Sequence, residues 1–197
     1  MKKNAFWLTA TLSLFLGFNA SSQVKNLSIE QVDNEGKVPG KTYRLYAVMT
    51  HEDDRVLVIF GDTLNLLIIK SSKPFYQSPN GGGMAKDSNR KMVQLNDSLR
   101  FDSWITVGGE DNYDCNINVL NLSLQKFEEE GGPIEVKTDG AWFTLPTDQI
   151  SKAGSDKKIL LGQFTTKGTL DGQLCIMGRD AKGENYQQKG LKFNSKQ

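Results

Sequence analysis

After Gln23 no apolar run in this chain is longer than five residues, and glycine, Asp-Gly or Gly-Asp punctuates the intervals between runs. That rhythm constrains the fold more than any motif does. A helix spreads its apolar positions over ten or more residues. Short runs rich in β-branched and aromatic side chains, bounded by turn residues, read as strands. Val56-Leu57-Val58-Ile59-Phe60 is such a run, ended by Gly61-Asp62, and residues 64–69 repeat its character. Over residues 42–49, Tyr43, Leu45 and Ala47 share one face while Arg44 points to the other. Further strands are expected at 103–107, 116–124, 141–145, 158–165, 172–177 and 186–193. The turns between them fall at Gly108-Gly109, Gly131-Gly132-Pro133, Asp139-Gly140, Asp171-Gly172 and Lys182-Gly183. The strands flanking Asp171-Gly172 read as a hairpin. Only residues 124–130 suit a short helix, stopped by Gly131-Gly132. The expected fold is therefore all-β: an antiparallel β-sandwich, jelly-roll-like, with one long Gly-rich loop. That loop covers residues 74–97, holds Gly81-Gly82-Gly83, and reads as a functional or a disordered excursion.

Residues 1–22 read as a secretory signal peptide. Lys2 and Lys3 precede an apolar stretch over residues 5–18, and Ala20-Ser21-Ser22 supplies the small residues of a cleavage site. Residues 23–197 are then one β-sandwich domain, secreted across the inner membrane to the periplasm or the exterior. No cysteine follows the leader's apolar core, so lipid attachment is not expected. Without Lys2 and Lys3 the chain has 22 basic against 23 acidic residues, a net of −1. Such a balance gives no electrostatic case for nucleic acid or an anionic bilayer. No later segment approaches the roughly 18–20 apolar residues of a membrane span.

Export changes the reading of the two cysteines, Cys115 and Cys175. In an oxidising compartment an even count points to a Cys115–Cys175 disulfide, and a loop of that length would stabilise the fold by about 4 kcal/mol. The alternative is two free thiols.

Three turns concentrate acids: Glu52-Asp53-Asp54, Glu110-Asp111-Asn112-Tyr113-Asp114 and Asp180-Ala181-Lys182-Gly183-Glu184. Calcium takes six to eight oxygen ligands, which secreted sandwiches gather from loops. Glu110, Asp111 and Asp114 are the candidate ligands, although exposed turns carry acids for solubility alone. His51 is the only histidine and reads as a solvated turn residue, and no Gly-x-Ser-x-Gly elbow accompanies it. Gly81-Gly82-Gly83 lacks the Gly-Lys-Ser/Thr of a phosphate loop. Trp104 and Trp142 lie inside strand-like runs and read as core. Phe75, Tyr76 and Tyr113 lie in or beside loops and are the candidates for a ligand surface.

The order of several segments carries a resemblance. VPGKTYRLYA over residues 38–47 is followed by VIFGD at 58–62, FDSWITVG at 101–108 and DGAWFTLPTD at 139–148. LLGQFTT at 160–166, GTLDG at 168–172 and GRDA at 178–181 complete it. This set resembles a domain of unassigned function in large secreted proteins of environmental bacteria, often beside a type IX secretion sorting tail. The resemblance covers most of residues 27–193 and implies a β-rich module of the cell surface or exterior, with no catalytic residues to transfer. The chain stops at Gln197, just past the last expected strand, so a sorting tail is not expected and the periplasm stays open.

The expected function is a secreted, non-enzymatic binding or interaction module whose partner is a polysaccharide or an envelope protein, with calcium as a possible structural ion. The alternatives are a structural or assembly component of the envelope and a glycan hydrolase built on an acid pair such as Asp53 with Asp111.

Overall fold

A computed structural model describes residues 23–196, so the signal-peptide reading lies outside the described residues. The strands are, in chain order, β1 (Val24–Val32), β2 (Lys41–Met49), β3 (Arg55–Gly61), β4 (Leu67–Ser71), β5 (Trp104–Ile105) and β6 (Asn118–Leu120). They continue with β7 (Ile134–Val136), β8 (Gly140–Phe143), β9 (Lys158–Thr166), β10 (Leu170–Arg179) and β11 (Asn185–Asn194). Helices are short: α1 (Arg90–Leu95), α2 (Asp97–Arg100) and α3 (Gln125–Glu130). No helix among the described residues is long and apolar enough to cross a membrane.

Two antiparallel sheets make an all-β sandwich. The first runs β1-β2-β9-β5. The second carries the other seven strands, with β10 flanked by β11 on one side and by β3 and β4 on the other. Along β10, residues 170–173 face Ser71 back to Ile68, and residues 175–179 face Phe60 back to Arg55. β3 and β4 are thus two halves of one strand interrupted by residues 62–66, and β8 and β7 continue the break in the next row. Five of the ten connections between consecutive strands pass from one sheet to the other.

The core lies between the sheets. Leu45, Ala47 and Met49 of β2 meet Ile59, Leu67, Ile69 and Trp142 of the second sheet, with Phe164 of β9 among them. Alternation along β2 buries alternate residues, as expected of a strand with one face on the core. β9 differs, because Ile159 to Thr166 are all buried. Its second face lies under residues 99–106 and is polar. Asn34 Nδ2 donates to Thr42 Oγ1 (3.4 Å), the Thr42 and Thr165 hydroxyls share a 2.7 Å bond, and Thr165 Oγ1 donates to the Phe101 carbonyl (2.6 Å). Gln163 Nε2 donates to the carbonyls of Arg100 and Asp102, each at 2.9 Å. Every one of these buried polar groups has a partner, which is the condition for keeping them inside.

Four expectations change. The Asp171-Gly172 hairpin is not formed: both residues lie inside β10, and the chain turns at 167–169 as it crosses between sheets. Gly172 serves close packing, since a Cβ there would lie 2.1 Å from the Ile68 carbonyl oxygen and 2.6 Å from the Phe193 ring. β1 went unread because a bulge between Val24 and Asn26 breaks its alternation. The strands expected at 103–107 and 116–124 shrink to β5 and β6. The second half of the expected 74–97 loop is helical, with Asn89 and Asn96 capping α1 and α2 through their side-chain oxygens. The helix expected at 124–130 forms as α3 and ends at Gly131, whose φ of 63° closes it.

The two cysteines are free and buried. Cys115 Sγ lies 3.4 Å from Thr106 Oγ1, while Cys175 sits on β10 with Sγ 3.8 Å from the Asn65 carbonyl. Fixed in separate surroundings, the thiols do not form the expected bridge.

Candidate functional site

The helical segment leans over the outer face of the first sheet and leaves a cleft of about 250 Å³. Arg44 of β2 and Gln163 of β9 stand opposite each other in register, and Trp104 of β5 stands opposite Gln163. Directly opposed residues share a face, so the three form one floor. Val93, Leu99 and Phe101 give apolar wall, and Arg100, Glu110 and Asp111 give charge.

Arg44 organises the floor. Its guanidinium donates to both oxygens of Glu110 (3.0 and 2.7 Å) and, through Nε, to Gln163 Oε1 (3.2 Å). Burial works against the Arg44 charge, but the Glu110 carboxylate outweighs it and the net pKa shift is upward. A bidentate pair of this kind fixes a planar geometry. Arg90 does the same at the edge, with Nε 2.5 Å from Asp111 Oδ2 and Nη2 2.7 Å from Asp114 Oδ2.

The two arginines account for the acidic turn. Glu110, Asp111 and Asp114, the expected calcium ligands, are neutralised by guanidinium groups, and Asp114 Oδ1 accepts from the amides of Glu110 and Asp111. Among the described residues no three His, Cys, Asp or Glu side chains are gathered as a metal group. In this structure the three acids of the turn are paired with guanidinium groups.

The three aromatic candidates separate. Phe75 is 4% exposed and packs edge-on to Phe127 at 5.4 Å and tilted to Phe164 at 5.6 Å, so it belongs to the core. Tyr76 is half-buried and its amide donates to the Thr165 carbonyl. Tyr113 is 65% exposed, two residues after Asp111, with the Arg90 guanidinium 4.9 Å over its ring. Tyr113 alone remains as a surface aromatic beside the cleft. Trp104 and Trp142 are buried as expected, and Trp142 Nε1 donates to the Thr106 carbonyl.

The acid pair weighed for hydrolysis is not assembled. Asp53 pairs with Lys152 at 2.5 Å and lines a separate depression, with Arg55, Arg179 and Asp180. Asp111 faces Arg90 in the cleft. His51 is exposed and accepts the Asp53 amide through Nδ1, as a turn residue does. Asp54 is a structural tie: its Oδ2 accepts from Thr50 Oγ1 and the His51 amide, and its Oδ1 from the Ala181 amide.

Arg44, Arg90, Arg100 and Gln163 escaped sequence reasoning. The only signal was Arg44 facing away from the core side of a strand, and pairings between residues dozens of positions apart leave no local trace. Comparison with protein families, curated proteins and solved structures finds no match.

Proposed function

We propose that the protein is an exported, non-catalytic binding module of the bacterial envelope or exterior, and that a saccharide is its ligand in the cleft beside Tyr113. The observation that carries this reading is the mixed lining. Sugars present CH faces and hydroxyl edges together. The cleft is lined by Val93, Leu99 and the buried Phe101 and Trp104 beside Arg44, Arg100, Glu110 and Gln163. The exposed Tyr113 ring lies outside that lining, under the Arg90 guanidinium. Aromatic rings with a polar handle suit such amphipathic ligands. The leader and the resemblance to secreted bacterial domains support export.

The test is thermal unfolding and calorimetric titration of the exported protein against a panel of neutral and acidic oligosaccharides. A ligand at a hundred times its dissociation constant adds about 2.7 kcal/mol of stability. Tyr113→Ala and Arg100→Ala alter exposed side chains and should each weaken binding without lowering the melting temperature. A panel with no binder, or binding indifferent to both substitutions, overturns the assignment.

A further inference from the structure

A second concave surface lies on the opposite face of β2, at the open mouth of the sandwich. Lys41 begins β2 opposite Thr166, the last residue of β9, and Lys167 follows directly. Lys196 follows the end of β11. The three lysines line one open groove of about 620 Å³ with Tyr43, Ser72, Thr166 and Thr169. Through Lys41 and Tyr43 that groove runs into a second of about 370 Å³ between β1 and β11, lined by Ser28, Gln31, Asn194 and Ser195. β1 pairs only with β2, and β11 only with β10, so two sheet edges face each other there.

The charge is one-sided. Among the described residues no aspartate or glutamate lines either part. Lys41, Lys167 and Lys196 form no ion pair among the described residues. On a chain of nearly balanced charge, three unpaired ammonium groups in one groove make a local positive field. The walls carry hydroxyl and amide groups, and of the apolar lining residues Leu27, Tyr43 and Phe193 are buried and Ile29 half-buried. No pocket there would seat the apolar anchor of a peptide, and a concave trough does not match a flat bilayer.

We propose that this groove binds an anionic polysaccharide, a chain of carboxylated or sulfated sugars, with Lys41, Lys167 and Lys196 on the acid groups and Ser28, Gln31, Ser72, Thr169 and Asn194 on the hydroxyls. The site is independent of the cleft at Tyr113.

The experiment titrates the exported protein with oligogalacturonate and with dextran sulfate, against neutral dextran, single-stranded oligothymidylate and phosphatidylglycerol vesicles, at low and high sodium chloride. Binding to at least one acidic sugar, absent with neutral dextran and weakening as salt rises, is the expected result. Changing the exposed lysines together, K41Q/K167Q/K196Q, should weaken it about tenfold or more, at modest cost per exposed charge contact. The triple variant should keep the wild-type melting temperature, and Tyr113→Ala should bind the acidic sugar as wild type does, which separates failure of this groove from failure of the cleft. Equal binding by the triple variant, equal binding of neutral dextran, or no binding to either acidic sugar at low salt overturns the proposal. So does tighter binding to oligothymidylate or vesicles.

Discussion

The Asp102 carboxylate accepts the Ser78 amide through Oδ1 at 2.6 Å, while its Oδ2, fully enclosed, has no hydrogen-bond partner. Oδ1 also takes the Ser103 amide at 2.9 Å. The glycine run completes the arrangement: a Cβ on Gly81 would lie 1.8 Å from Oδ2, so only glycine allows the loop to close on the acid. At the other end of the run the Gly83 amide donates to Glu128 Oε1. Two carboxylates thus hold residues 78–83 against β5 and α3. Three consecutive glycines, in a segment whose sequence reads as a functional or a disordered excursion, are there for close approach.

Asp102 makes stability depend on pH. Burial pushes its pKa up to about 7, against the two amides that favour the charged form and with a smaller upward push from Glu128. In the unfolded chain the group loses its proton near pH 4, whereas the native protein holds it until about 7. Between those values the native state binds more protons, so stability falls as pH rises through the window and levels off above it. The span corresponds to about 4 kcal/mol. Asp102→Asn keeps the Oδ1 acceptor and removes the charge. Urea midpoints at a series of pH values should show the wild type losing stability relative to this variant from pH 4 to 7. Parallel curves would mean that Asp102 does not titrate there.

Phe75→Ala opens a hole among Phe127, Phe164 and the α3–Gly131 corner. Large-to-small changes at buried aromatic positions cost about 3–5 kcal/mol. A loss of that size in chemical denaturation is expected, whereas Tyr113→Ala should stay within about 0.5 kcal/mol of wild type. A small effect at Phe75 would return it to the surface role its loop position implied.

These outcomes show where reading the sequence works. β3 was legible because VLVIF is short, β-branched and bounded by turn residues, although only one of its faces is fully buried and Val58 and Phe60 are half-buried. The tryptophans were legible because they lie in strand-like runs. β1 is a polar, largely exposed edge strand, and its apolar residues Val24, Leu27, Ile29 and Val32 do not keep a period of two. The Gly81 run misled because glycine marks flexibility and close packing alike. Asn89 and Asn96 did hold a readable capping signal, masked by that run. The Arg44–Glu110 and Arg90–Asp111 pairs are properties of the folded chain only.

Arg90 tests whether charge alone sets the 110–114 turn. Asp111 is nearly buried and depends on the Arg90 Nε, although Arg90 itself is substantially exposed. Removing one partner of a half-buried pair leaves the other poorly compensated, and solvent limits the loss. Arg90→Gln should lower the urea midpoint measurably. Millimolar calcium should leave the wild-type midpoint unchanged. A rise with calcium would restore the cation reading of Glu110, Asp111 and Asp114.

The thiols give the last prediction. Burial raises the pKa of both Cys115 and Cys175, which suppresses the reactive thiolate. Each is also held by its own neighbours, Thr106 for one and the Asn65 carbonyl for the other. Ellman's reagent should therefore react slowly with the native protein and titrate both thiols once it is unfolded, with an intact mass equal to that of the reduced chain. The compartment does not alter this expectation, because oxidation needs the two sulfurs in contact and not merely an oxidant. A mass lower by two hydrogens, with no thiol released in denaturant, would mean that β10 and the 105–117 segment approach each other differently from the arrangement described.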